Sequence, residues 1–181
     1  MSAPAVTIAA AGWQDLADAA AYYPDDLPDD WRLGYFANEH PAVYLPADLW
    51  QPVPVAVLRS WHGDVNAAFR FFLEWPGPAA GSSDAVAALG DRLAGWVEWH
   101  SASSGALIAP AVDQTVVFGQ ALRCPAELAR DLRAAARWLR ERATAASATL
   151  VILSAPTSTQ LAQWRQLQQL LGYVDIASPP A

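Results

Sequence analysis

Glu98 and His100 stand two residues apart in the run GWVEWH. On a strand that spacing puts both side chains on one face about 7 Å apart, which leaves room for a substrate or a water between an acid and a base. The plainer alternative is a polar strand end facing solvent. Arg70 and Glu74 share a face of FRFFLEW in the same way. There Arg70 would clamp an anionic group while Glu74 serves as base, or the pair would form an ion pair or a solvated face. All three histidines lie beside Glu or Trp, as Glu39-His40, Trp61-His62 and Glu98-Trp99-His100. Glu74, Glu98, His62 and His100 are therefore the candidate catalytic groups. Arg70, Tyr23, Trp31 and Trp61 are the candidate ligand contacts, one cation and three aromatic walls. Asp25, Asp26, Asp29 and Asp30 carry the oxygens a hard divalent ion prefers. Their spacing matches no calcium loop, and turn and helix-cap duty accounts for them, so no metal site is expected.

Several chemistries are excluded by what is missing. All eleven basic residues are Arg, so no lysine can act as Schiff base, P-loop cation or general base. Cys124 is the only cysteine, which forbids an internal disulfide and a thiolate-rich metal cluster. It reads as a small buried or helix-entry residue. No GxSxG, GxGxxG, Walker-type or HExxH motif occurs, which disfavours serine hydrolase, dinucleotide oxidoreductase, P-loop phosphotransferase and zincin chemistry. No cofactor is expected. The formal net charge is −7, and the arginines are scattered or interleaved with acids, so nucleic acid is not an expected partner. No apolar run approaches the ~20 residues of a membrane helix, and the N-terminus lacks a basic leader pattern, so no membrane partner and a cytoplasmic location are expected.

The elements that must position these groups follow from periodicity. The 181 residues, 54% of them apolar, read as one α/β domain over 1–181 with a substantial core. Strands are expected at Val6–Ala10, Ala42–Leu45, Val53–Leu58, Phe69–Trp75, Gly95–His100, Ala106–Ala109, Thr115–Phe118, Thr149–Leu153 and Tyr173–Ile176. Arg59–Asp64 reads as a strand-end loop. Helices are expected after Asp29 or Asp30 as cap, at Asp84–Leu93, at Pro125–Arg142, and after a Thr157/Gln160 capping box as far as Gly172. A Ser-Pro-Pro tail closes the chain. Strand and helix alternating at this spacing predict a mainly parallel sheet with flanking helices, its sites in the loops at the carboxyl ends of strands.

A first strand ending in Gly12-Trp13, then Tyr23-Pro24 with Leu27-Pro28 and Trp31, then FRFFLEWP, resembles the opening of the YecE-like family of uncharacterised TIM-barrel proteins over roughly the first 80 residues. The resemblance implies a TIM-barrel-like architecture. A complete eightfold barrel usually takes about 250 residues, so a shortened or open version is expected. Glu74 stands where the family has a lysine, the strand at Ala42 lacks the family's Glu-x-Asn and aromatic pair, and no Glu-Phe-Arg-His block follows.

Two functions remain. The first is a non-catalytic accessory member of that lineage whose exposed aromatics and acidic loop bind a protein partner. The alternative is an enzyme or small-molecule binder whose strand-end acid/His pocket takes a sugar-like or phosphorylated ligand. Arg130, Arg133, Arg137 and Arg140, at three- and four-residue spacing, offer a further docking face or a solvated one paired with Glu127, Asp131 and Glu141.

Overall fold

The computed structural model of the chain describes residues 3–77, 82–110 and 116–176. In chain order it runs β1 (Val6–Ala11), α1 (Ala19–Tyr22), α2 (Arg32–Glu39), β2 (Ala42–Leu45), α3 (Ala47–Trp50), α4 (Val55–Asp64), β3 (Arg70–Glu74), α5 (Ser82–Leu89), β4 (Leu93–Trp99), β5 (Ser104–Ile108), β6 (Val117–Arg123), α6 (Leu132–Arg142), β7 (Ala148–Leu153) and α7 (Ser158–Leu170).

The seven strands close into a barrel in sequence order. The β1–β2, β2–β3, β3–β4, β6–β7 and β7–β1 pairings are parallel. β5 runs against both of its neighbours. The sheet is therefore mixed and closed, which overturns the expected mainly parallel, shortened or open TIM-barrel-like architecture. The reason is local. The link at 100–103 between β4 and β5 is too short for a crossover helix, and a hairpin link forces the next strand to reverse.

Alternation along each strand sorts the core into two shells. Val6, Ile8, Val43, Phe71, Leu73, Trp96, Val151 and Leu153 point outward into the helices, where they meet Leu33, Phe36, Leu58, Leu139, Leu161 and Trp164. Ala9, Ala42, Tyr44, Phe72, Val97, Leu107, Ala121, Leu150 and Ile152 fill the barrel itself. Ile176 packs against this inner set. Its amide donates to Thr7 Oγ1 at 3.0 Å, while that hydroxyl donates to Asp175. The amino-terminal end of the barrel is thus stoppered by the chain's own residues.

Several element expectations are corrected. Val53–Leu58 is not a strand, and Arg59–Asp64 is not a loop; both fall in or beside α4. Pro54, at φ −58°, occupies the helix N-cap, where proline's missing N–H costs nothing, so VAVL starts a helix despite its β-branched residues. Tyr173–Ile176 makes only a single bridge, Ala5 to Val174. The helix expected from Pro125 begins instead at Leu132, capped by Asp131, whose carboxylate accepts from the Arg133 and Ala134 amides at 3.0 and 2.9 Å. Asp29 and Asp30 lie in a 3-10 turn ahead of α2 and make no side-chain cap bond. Thr115 and the Ser-Pro-Pro tail lie outside the described residues.

Candidate functional site at the barrel mouth

At the carboxyl ends of β2, β3, β4 and β6 the inner face of the barrel ends in Tyr44, Glu74, Trp99 and Arg123. The register places them together: Tyr44 pairs with Phe72, Glu74 with Val97, and Trp99 with Gly105. Arg123 pairs with Ile152. Below them the apolar inner shell forms a floor. Trp99 Nε1 donates to Tyr44 Oη at 2.8 Å, with the two rings edge to face at 87°. The Arg123 guanidinium lies over the Trp99 ring at 4.1 Å and over the Tyr44 ring at 6.0 Å. Glu74 Oε2 accepts from the Ala47 amide at 2.9 Å, in the first turn of α3.

The electrostatics follow from this packing. Burial raises the Tyr44 phenol well above its ordinary value, the Trp99 hydrogen bond and Arg123 oppose that, and Glu74 adds to it. Tyr44 is therefore a neutral hydroxyl at pH 7 whose oxygen accepts from Trp99 and whose proton faces the Glu74 carboxylate. Arg123 has no ion-pair partner among the described residues. Its flat face is held by the indole, which leaves the N–H edge for a carboxylate or phosphate. The Ser101–Ser104 turn lies against this corner, and the Arg123 amide donates to Ser103 O at 2.9 Å. The β7 end contributes Ala155 at φ +41°, a left-handed conformation that a residue with a Cβ adopts only under constraint.

Of the residues singled out from the sequence, Glu74 reaches this mouth. Glu98 does not share its inner face, because it alternates with the inward Trp99 and so points outward. His100 is exposed in the turn that follows. His62 sits on α4 toward the other end of the barrel, with Nε2 3.0 Å from Asp91, and Asp91 is bonded in turn to Arg92 at 2.5 Å. The His62 contact holds the Asp91 carboxyl below its ordinary value. Arg70 begins the strand that Glu74 ends, and its Nη1 donates to Ala67 O and Phe69 O at 2.7 and 2.9 Å. Tyr23 is buried with its hydroxyl donating to Trp13 O at 2.5 Å. Trp61 packs between Trp13 and Phe71, while Trp31 is 66% exposed.

Tyr44, Trp99 and Arg123 escaped the sequence reading. Trp99 stands between Glu98 and His100, whose polar pattern points to the opposite face of the strand. Arg123 carries a usable signal, a lone cation at the end of the mostly apolar segment Val117–Leu122 just before Cys124-Pro125. Cys124 itself is buried, with its thiol pushed up to about 12 by burial first and then by Glu127, so it is no thiolate at neutral pH. No helix among the described residues is long and apolar enough to cross a membrane. Comparison of the chain with protein-family models, with curated proteins and with solved structures finds no match.

Proposed function

We propose that the protein binds a small anionic, hydroxyl-bearing ligand, such as a phosphorylated or carboxylated sugar, at the carboxyl-end mouth of its barrel. The observation that carries this reading is Arg123, a guanidinium clamped on the Trp99 indole at 4.1 Å with no carboxylate partner among the described residues. A cation fixed by stacking has already lost its rotamer freedom, so a bidentate anion gains two charge-assisted hydrogen bonds at small ordering cost. Beside it the Tyr44 hydroxyl and the Glu74 carboxylate face each other, and a ligand hydroxyl next to the anion would exchange for that contact, accepting from Tyr44 and donating to Glu74.

Thermal shift and calorimetric titration of the full chain with inorganic phosphate, sugar phosphates, sugar acids and the parent neutral sugars test the reading. A bound ligand at 100 times its Kd stabilises the fold by about 2.7 kcal/mol. Anionic sugars are expected to raise Tm and neutral ones not. Arg123→Ala should weaken binding at least tenfold, the equivalent of about 1.4 kcal/mol. Arg123→Lys should fail to restore it, because an ammonium neither stacks nor forks. Silence with every anion, or equal affinity in Arg123→Ala, overturns the reading.

A further inference from the structure

On the flank of the barrel, three depressions run into one another between the loop after β1, the α3–α4 connection and α2. The first, of about 230 Å³, is lined by Gly12, Leu49, Val53 and Trp61 among others. It shares Trp13, Gln14, Val53 and Trp61 with a second of about 440 Å³. The second shares Asp30 and Asp64 with a third of about 340 Å³ that reaches Trp31 and Tyr35. Each contributes one exposed large apolar side chain: Leu49 at 42%, Val57 at 42% and Trp31 at 66%. A continuous, open, aromatic groove with three uncovered apolar residues along it is the surface signature of a docking site.

The charges choose the occupant. Asp15, Asp30 and Asp64 line the groove, and none has an ion-pair partner among the described residues. Asp29 is answered by Arg32 at 3.1 Å. Among the described residues, no basic one lines any of the three depressions. Trp13 lines two of them and is 6% exposed. An extended chain brings what is missing: apolar side chains for Leu49, Val57 and Trp31, and cations for the aspartates.

We infer that this groove docks a basic, apolar-anchored peptide segment of a partner protein. The segment places its apolar side chains over Trp61 and Trp31 and its Arg or Lys side chains at Asp30 and Asp64. The site is separate from the barrel mouth and does not depend on it.

A random peptide display library panned on the full chain tests this, with enriched peptides then measured by fluorescence anisotropy. Enrichment of sequences pairing Arg or Lys with Leu, Phe or Trp is expected. Their binding should fall about tenfold in Asp30→Asn/Asp64→Asn, fall similarly in Trp31→Ala, and weaken as salt rises. All three positions are exposed, so the variants should keep the parent's circular dichroism and Tm, and Arg123→Ala should bind the peptides as the parent does. The inference is overturned by enrichment of acidic or uncharged sequences, by no enrichment, or by affinity that the groove variants leave unchanged. Sedimentation that shows a dimer dissolved by Trp31→Ala makes the occupant a second copy of this chain, and that too overturns it.

Discussion

His40 is 4% exposed, and neither of its ring nitrogens has a partner among the described residues. Its ring lies 4.6 Å from Phe36 and 6.0 Å from Tyr22. Burial, helped by the Arg165 cation and opposed by Asp18, holds its pKa down at about 4. The unfolded chain titrates this imidazole near 6.5. Between those values the unfolded state takes up a proton that the folded state refuses, so the stability from a neutral His40 is whole above about pH 6.5 and drains away as pH falls toward 4. The loss is on the order of 3 kcal/mol. Urea unfolding at about pH 7.5 and about pH 4.5 should show His40→Leu less acid-sensitive than the parent by that order. An unchanged difference would mean that the orphaned ring is hydrated in solution. His40 precedes β2 at its amino end, so the ring stands away from the barrel-mouth groups.

At the scale of elements, the β4–β5 hairpin at Gly105 is one of two very tight junctions, the other being β6 against β7 at Gly119. A Cβ on Gly105 would overlap the Glu98 carbonyl, a backbone atom that cannot swing aside. Gly105→Ala must therefore spread the two strands beneath Trp99, at a cost of about 1–3 kcal/mol in unfolding free energy. The spread should also perturb anion binding at Arg123 more than a stability-matched core variant such as Val151→Ala does. The same hairpin shows where sequence reading succeeds and where it stops. Ala42–Leu45 and Thr149–Leu153 are legible as continuous apolar runs because both their faces are buried. The capping box at Thr157 and Gln160 forms as its spacing says. The direction of β5 is not carried by its own residues, since it depends on the length of the link before it. Tyr44, Glu74, Trp99 and Arg123 come from four strands, and only closure of the barrel makes them neighbours. The α4 segment misled because VPVAVL satisfies a strand composition, and Pro54 decided otherwise.

Across the whole molecule, the inner and outer shells share every strand but β6, and the barrel closes through β1 against β7 over five paired positions. The α2–α4 flank, the mouth and the stoppered base have no boundary of weak contact between them. Unfolding should therefore be a single transition, with tryptophan fluorescence, far-ultraviolet dichroism and calorimetric enthalpy agreeing on one midpoint. Separate midpoints for the nine tryptophans and for the backbone would split the shells into independent units.

The reversed fifth strand has a kinetic meaning as well as a geometric one. Every parallel pairing must wait for a long connection to close, whereas β4, β5 and β6 meet through short links and form a meander at low loop-closure entropy. Hairpins assemble in about 1–10 μs, far ahead of a circuit that joins residue 6 to residue 149. The three strands holding Trp99 and Arg123 are thus the first sheet this chain can make. On that order of assembly the guanidinium and the indole would meet first, and φ-values of about 1 at Leu107 and Ala121 with values of about 0 at Ile8 and Val151 are the expected signature.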